Sequence, residues 1–426
     1  MWAPADLNAL PTNEDYINAK TAILEMENEL ADALLALAQI QIRIANLEKD
    51  IYERRAWIAP IRKLGFDVLS LIFERCSEGE WNAPLKIGAV SRGWRTVVLN
   101  TPYAWSIIDL EYLKDIDAVD TYLRRSGTSP IHARILYDAQ ERLRNISNRI
   151  SCAFIWFTLE SENLIFPCLR RLRIGNNPPA QYFKSSRFPA LRHLVYTGHL
   201  HYMETDDSSS HFEDFPLLET LATHTMPERR LSILLRTCSS TLVTLSLAYV
   251  FDSQDTCTIK LPSLIFLRIH RGEARSWEWP LNLVTPALQS YIETDDLQSH
   301  DGTIHKSLEN VTNLRLSRMP PLSKCIQLRR LQIATRDELV YPILKELAVD
   351  KNFCPNLEAI EVHLAPGAPV NKDEITLMTL EITKMRERPF QVNFHPHLRD
   401  DLPGFPVELC DSGMPCRVWK TQTPCV

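Results

Sequence analysis

Glycine is scarce in this chain, 12 of 426 residues. The Walker-type loop and the Rossmann glycine run are absent, and so are H-E-x-x-H, G-x-S-x-G and any EF-hand loop. The ten cysteines, spread from Cys76 to Cys425, form no C-x-x-C. Reduced, mostly buried thiols are therefore expected rather than a zinc site or a disulfide framework. His395-Pro396-His397 and His199-Leu200-His201 come nearest to ligand spacing, but neither has a Cys or an acidic third ligand beside it, so no metal is expected. The pairs Asp206-Asp207 and Asp295-Asp296 lie in polar stretches where carboxylates are ordinarily solvated. With no nucleophile, base and orienting group assembled, the expectation is a chain that is not an enzyme and needs no cofactor.

Long apolar runs are missing as well. No stretch approaches eighteen consecutive apolar residues, and the first sixteen residues have neither a basic leader nor an apolar core. The expectation is an intracellular protein, cytoplasmic or nuclear, with no membrane partner. The net charge of −6 is small for this length, and no Lys/Arg cluster is interleaved with aromatics. Nucleic acid is not an expected partner. What is present is 45% hydrophobic and 23% charged residues with a high proline count of 27, the composition of a folded protein punctuated by proline turns.

From about Tyr16 to Arg54 there is neither Pro nor Gly, and helix formers dominate. Counting in sevens places Ile23, Leu30, Leu37, Ile44 and Ile51 at one position and Met26, Ala33, Ile40 and Leu47 at the next, an a/d seam over residues 14–57. Three arrangements stay open for this coiled-coil helix: packing on the rest of the chain, a homodimer, or pairing with a foreign helix. Trp57 and Pro60 mark its end.

Residues 60–106 read as three short helices. Leu64, Val68, Leu69, Ile72 and Phe73 build one stripe, Leu85, Ile87, Ala89 and Val90 a second cluster, and Ser91 is a natural N-cap for a third helix stopped by Thr101-Pro102. So small a unit needs a neighbour or a partner to be stable. Leu64, Asp67, Val68, Leu69, Ile72 and Phe73, then Val90-Ser91-Arg92-x-Trp94-Arg95, then Thr101-Pro102-x-x-Trp105 resemble the F-box pattern. Gly65 stands where that pattern has Pro, and Asp67 where it has Glu. The order of segments, with Tyr122-Leu123-Arg124-Arg125-Ser126-Gly127-Thr128-Ser129-Pro130-Ile131 following, resembles F-box proteins of mushroom-forming fungi. The resemblance implies binding of the Skp adaptor of cullin-RING ubiquitin ligases. The face assigned to that adaptor is Leu64, Val68, Leu69, Ile72, Phe73, Leu85, Ile87 and Val90, with Trp94 and Trp105 as internal anchors.

The remainder repeats itself. Leu169-x-x-Leu172-x-Ile174, Leu191-x-x-Leu194-x-Tyr196, Leu218-x-x-Leu221, Leu242-x-x-Leu245-x-Leu247, Leu264-x-x-Leu267-x-Ile269, Leu288-x-x-Tyr291, Val311-x-x-Leu314-x-Leu316, Leu328-x-x-Leu331-x-Ile333 and Leu357-x-x-Ile360-x-Val362 recur at a mean period of about 23 to 24 residues. Weaker copies are expected at residues 107–110, 131–136 and 154–159, with helices at 116–125 and 140–150 between them. Several copies follow a proline, as at Phe188-Pro189, Leu261-Pro262, Thr285-Pro286 and Cys354-Pro355, read as the stop of a helix before an extended strand. Only Asn177 occupies the asparagine position of regular leucine-rich repeats.

The expected architecture is α+β and multi-domain: a coiled-coil helix (14–57), a three-helix F-box (60–106), an irregular leucine-rich-repeat-like α/β solenoid or horseshoe (107–395) and a C-terminal cap or tail (396–426). Such arrays stack by nearest-neighbour burial and need caps, here the F-box and a C-terminal helix near 373–388 with a strand near 417–419. Polar positions between the repeat hydrophobes should line one sheet face. Among them Arg170, Arg171, Arg173, Arg192, Arg268, Arg315 and Arg329 suit an acidic or phosphorylated protein target. The expected function is a non-catalytic substrate receptor of a cullin-RING ligase. A scaffold or self-associating interaction protein with a degenerate F-box is the alternative.

Overall fold

The computed structural model describes residues 10, 12–110, 116–135, 140–155, 164–175, 182–197, 214–223, 226–248, 250–251, 257–271, 281–295, 308–316, 322–334, 340–350, 352–363 and 372–395. The chain divides into two compact units, Met1–Leu69 and Ser70–Val426. It is mixed α and β, with one long N-terminal helix and one large parallel sheet.

In the first unit, α1 (Asn13–Trp57) is continuous over 45 residues. Its start is a reciprocal cap. The Asp15 N–H donates to the Thr12 hydroxyl at 3.2 Å, and the Thr12 N–H donates back to the Asp15 carboxylate at 3.0 Å. Those hydrogen bonds hold the Asp15 carboxyl below its ordinary range. Arg54 and Arg55 sit in the last turn, where cations complement the helix dipole. A single turn of 3-10 helix, Pro60–Lys63, follows, with the Arg62 guanidinium 5.4 Å from the Trp57 ring centroid. Among the described residues, one helical stretch, α1 with this turn, contains a window apolar enough to cross a membrane by length and composition, at a mean hydropathy of 1.3.

The second unit opens with the body of α2 (Phe66–Gly79), α3 (Ala83–Val90) and α4 (Arg92–Leu99). Ser91 caps α4 as expected, its hydroxyl accepting from the Trp94 N–H at 3.2 Å. After α4 a 3-10 turn, Pro102–Trp105, leads into the sheet through β1 (Ile107–Asp109), α5 (Ile116–Arg125), β2 (Ile131–Ile135), α6 (Gln140–Ile146), β3 (Ile150–Ile155), β4 (Arg171–Ile174), β5 (His193–Tyr196) and β6 (Thr220–Thr223). The chain continues through β7 (Met226–Pro227), α7 (Glu228–Thr237), β8 (Thr244–Ala248), β9 (Val250–Phe251), β10 (Cys257–Lys260), β11 (Phe266–Arg271), β12 (Leu281–Val284), β13 (Ser290–Asp295) and β14 (Asn313–Leu316). Last come β15 (Arg330–Ala334), α8 (Val340–Val349), β16 (Ala359–His363), α9 (Lys372–Arg386) and β17 (Gln391–His395).

Thirteen of these strands form one sheet in chain order, β1-β2-β3-β4-β5-β6-β8-β11-β13-β14-β15-β16-β17, and the paired strands run parallel. The nine repeats of the sequence are nine of its strands in matching register. Leu172 pairs with Leu194, Leu194 with Leu221, Leu221 with Leu245, Leu245 with Leu267, Leu267 with Tyr291, Tyr291 with Leu314, Leu314 with Leu331, and Leu331 with Ile360. All are buried, each contributing about 2 kcal/mol of apolar transfer energy. Two small parallel sheets, β7 with β9 and β10 with β12, lie outside this ladder and were not expected.

The structure corrects the reading of the prolines. The carbonyl before the proline accepts the N–H of the first repeat leucine three residues on, as in Phe166/Leu169 (3.3 Å), Phe188/Leu191 (3.2 Å), Leu261/Leu264 (3.3 Å), Thr285/Leu288 (3.2 Å) and Cys354/Leu357 (3.0 Å). Proline therefore sits at the second position of a β-turn, where its fixed φ is preorganised, rather than ending a helix. The residue before it points inward: Phe166, Phe188, Leu261, Thr285 and Cys354 are all buried. Neighbouring turns are tied by side chains one repeat apart. Thr241 Oγ1 donates to the Leu218 carbonyl (2.7 Å), Asn310 Nδ2 to the Pro286 carbonyl (2.8 Å) and Asn356 Nδ2 to the Ile326 carbonyl (3.0 Å). Asn177 lies outside the described residues.

The weaker copies appear as β1, β2 and β3, with β3 at Ile150–Ile155; residues 156–159 of the stretch expected at 154–159 lie outside the described residues. The β2–β3 pairing shifts register between Ile131 and His132. Among the described residues the last strand of the sheet is β17, which was not foreseen as a strand. Arg386 of α9 donates to the Cys354 carbonyl at 2.8 Å and also to the Phe353 carbonyl, tying that helix to the last repeat turn. The strand expected near 417–419 and the segment 396–426 lie outside the described residues.

Candidate functional site

Three regions carry the expected functional residues. The first is α1. Every seam residue named from the sequence, Ile23, Met26, Leu30, Leu37, Ile40, Ile44, Leu47 and Ile51, is exposed, as are Leu24, Leu34, Leu35 and Ile42 off the seam. Ala22 is the one buried residue of this helix.

The second region is the helical segment. In the first unit Leu64, Phe66 and Val68 are exposed and Leu69 is buried. In the second unit Leu71, Leu85 and Val90 are exposed, Ile72 is half-buried, and Phe73 and Ile87 are buried. The expected partner face is thus corrected at Leu69, Phe73 and Ile87, which are core. The Phe73 ring packs 5.2 Å from the Trp94 ring. Phe66 and Leu71 are apolar and exposed but were not singled out.

Trp94 is half-buried and Trp105 fully so. Trp105 Nε1 donates to the Val98 carbonyl at 2.8 Å, its ring meets Tyr122 edge-on at 5.1 Å, and the Arg125 guanidinium stacks on it at 4.3 Å. Tyr122 in turn donates to the Trp81 carbonyl at 3.1 Å, and its burial pushes its phenol pKa well up. The segment that follows α5 is structural. Gly127 adopts φ +54°, and the Arg149 guanidinium gathers the turn by donating to Ser126 Oγ (2.8 Å) and the Ser129 carbonyl (3.0 Å).

The third region is the sheet face opposite the buried leucine ladder. Two rows of side chains cross it. The first runs Ile107, His132, Cys152, Arg171, His193, Thr220 and on to Arg330; the second runs Asp109, Arg134, Phe154, Arg173, Val195, Ala222, Ser246, Arg268, Ile292, Arg315, Gln332 and Glu361. Of the seven arginines named from the sequence, Arg171, Arg173, Arg268 and Arg315 lie on this face. Arg170, Arg192 and Arg329 do not. They precede their strands at the sheet edge, where Arg192 lies 3.7 Å from Glu219 and Arg329 lies 3.8 Å from Glu358. Gln332 donates to Glu361 across β15 and β16 at 2.7 Å.

Over β1 to β5 the face is basic. Arg134 lies 3.2 Å from the Asp109 carboxylate, both buried. The Phe154 ring stands between two guanidiniums, Arg134 at 6.0 Å and Arg173 at 5.3 Å. Arg171 lies close enough to His132 and His193 to oppose their protonation. Burial first and Arg171 second bring the His132 pKa down to about 4, and the same two causes lower that of His193. His193 falls at one of the polar repeat positions expected on one sheet face; His132 and Phe154 were missed from sequence, because they lie on β2 and β3, ahead of the nine aligned repeats. Among the described residues no group of three or more His, Cys, Asp or Glu is placed to hold a metal ion. Cys76, Cys152, Cys168, Cys238, Cys325 and Cys354 are free thiols.

No family model matches the chain, and no curated protein matches its sequence.

Proposed function

We propose that this chain is a non-catalytic substrate receptor of a cullin-RING ubiquitin ligase. In this reading the F-box-like segment takes the Skp adaptor, and the repeat sheet, as a leucine-rich-repeat-like array, takes a protein target. The observation that carries it is α3. This helix buries Ala83, Pro84 and Ile87 yet leaves Leu85 at 48% and Val90 at 61% exposure, within a segment whose residues resemble an adaptor-docking motif. Apolar side chains kept in water on both flanks of an eight-residue helix suit a protein partner. Leu64 and Val68 in the first unit and Leu71 in the second have the same exposed character.

Co-purification of the recombinant chain with the Skp adaptor tests the reading. Leu85→Asp and Val90→Asp, which replace exposed side chains, are expected to abolish capture while the chain stays folded. A folded wild-type chain that captures no adaptor overturns it.

The second reading, a self-associating scaffold, is favoured by α1. The heptad count puts Asp15, Arg43 and Asp50 at g and Lys20, Glu48 and Arg55 at the following e positions. A second copy of α1 laid parallel thus meets opposite charges at each of these pairs. The two readings separate at Gly65, whose added Cβ would meet nothing within 4 Å. Adaptor binding that appears only after Gly65→Pro and Asp67→Glu favours the scaffold. Self-association itself is compatible with both.

A further inference from the structure

We infer that α1 carries a second apolar face, Leu24, Ala31, Leu35, Ala38, Ile42 and Ala45, that docks an amphipathic helix of another protein whose apolar stripe is bordered by lysine or arginine. The inference goes beyond both readings above and depends on neither.

The heptad seam accounts for one side of α1 only. From Ala31 onward the six residues follow one another at alternating spacings of four and three, which keeps side chains on one face of a helix. At about 100° per residue they share an arc of about 80°, centred about 140° round the helix from the seam that runs from Ile23 to Ile51. The face is open to water. Leu24 is 59% exposed, Leu35 63% and Ile42 63%, and the three alanines beside them are exposed as well. In the seam count they fall at the b and f positions, the outer side of a two-stranded coil, so pairing through the seam leaves them uncovered. Leu24 to Ala45 spans about 32 Å along the axis, about six turns. Lys49 follows on the same face and closes the strip. A contiguous exposed apolar strip rimmed by polar residues marks an interaction surface.

The rim decides which partner fits. Glu27 and Glu48 lie at e positions along one border, and Glu25, Asp32 and Glu53 at c positions along the other, all of them exposed. A second copy of α1 does not fit this rim. Laid parallel through this face it sets Glu27 against Asp32 and Glu48 against Glu53; laid antiparallel at full overlap it sets Glu27 against Glu48 and Lys20 against Arg55. Like charges at those flanking positions reject a partner. The seam is the opposite case, because its g and e positions match a second copy charge for charge. The two faces of α1 thus select differently: the seam takes a copy of itself, and the second face takes a foreign helix with positive flanks. The alanines let the backbone of that helix approach closely, while Leu24, Leu35 and Ile42 supply the apolar area it covers.

The test uses the full chain and two synthetic fluorescent peptides of about four heptads, long enough to form helix on binding. Both carry the same leucine and alanine stripe, one flanked by lysine and the other by glutamate. Anisotropy is expected to show the lysine-flanked peptide bound about tenfold tighter at low salt, with the difference shrinking as salt rises. Leu35→Gln with Ile42→Gln is expected to weaken that peptide about tenfold, whereas Leu37→Gln with Ile44→Gln, on the seam, leaves its binding unchanged. Circular dichroism of each variant checks that α1 stays helical, and Ile42→Gln alone carries the test if the double variant does not. Equal binding of the two peptides, binding indifferent to Leu35 and Ile42, binding lost through Leu37 and Ile44 instead, or no binding of either peptide overturns the inference. Retention on phosphatidylcholine vesicles that Leu35→Gln with Ile42→Gln removes, with neither peptide bound, overturns the partner helix in favour of a lipid surface.

Discussion

The Arg134 guanidinium lies 3.2 Å from the Asp109 carboxylate across the first two strands of the sheet, with both side chains shielded from water. A buried pair of this kind contributes little over an apolar replacement, but breaking it strands a charge. Asp109→Asn is expected to destabilise the second unit by about 3 kcal/mol, and replacement of both partners by Leu by much less. Urea denaturation of the two variants checks this; equal losses would contradict the pairing.

Stability should fall with acid partly through His132. Its pKa is about 4 in the folded protein against 6.5 ordinarily, so between those values the unfolded chain binds the extra proton. The contribution is complete above about pH 6.5 and is lost as pH drops toward about pH 4, with a ceiling of about 3 kcal/mol. His132→Asn is expected to flatten the pH dependence of the denaturation midpoint in that window. An unchanged slope would count against a buried neutral ring.

Trp105 should be the costliest aromatic to remove near the start of the sheet. Trp105→Ala deletes a fully buried side chain, a hydrogen bond to Val98 and the contacts with Tyr122 and Arg125. A loss of about 4 kcal/mol is expected, against under about 1 kcal/mol for the exposed Trp57→Ala. Thermal melts of both variants check the contrast.

The exposed seam of α1 predicts association of the full chain. Sedimentation should give a multiple of 49.0 kDa, and Leu37→Glu with Ile44→Glu should return the monomer. A monomeric wild type would refute pairing with a second copy. Retention of that monomer on phosphatidylcholine vesicles would instead point to a lipid surface for the same apolar residues.

The repeats were the most legible feature of the sequence, and the proline turns show why their mechanism was not. In Leu261-Pro262-x-Leu264 the spacing of proline to leucine is visible as letters. That the Leu261 carbonyl accepts from Leu264 is visible only once the turn is closed. The arginines divide for a related reason. In Leu169-x-x-Leu172 the first variable residue, Arg170, still belongs to the turn edge, and the second, Arg171, is the first strand residue to face outward. A reading by composition counts the two alike.

Leu69, Phe73 and Ile87 mark the same limit in the helical segment. Apolar spacing says that a stripe exists, but which members are buried depends on what packs behind them, and Leu85 and Val90 differ from Ile87 only in that. By itself the sequence determined the periodic elements: the long helix, the short helices and the nine repeat strands in their register, because local spacing and side-chain polarity suffice for those. Only the tertiary structure decided that Phe154 stands between Arg134 and Arg173, and that Arg171 lies between two histidines from other strands. Neighbours separated by about one repeat in sequence meet only through parallel strand pairing, and a one-residue slip in that pairing would have turned each of them to the other face.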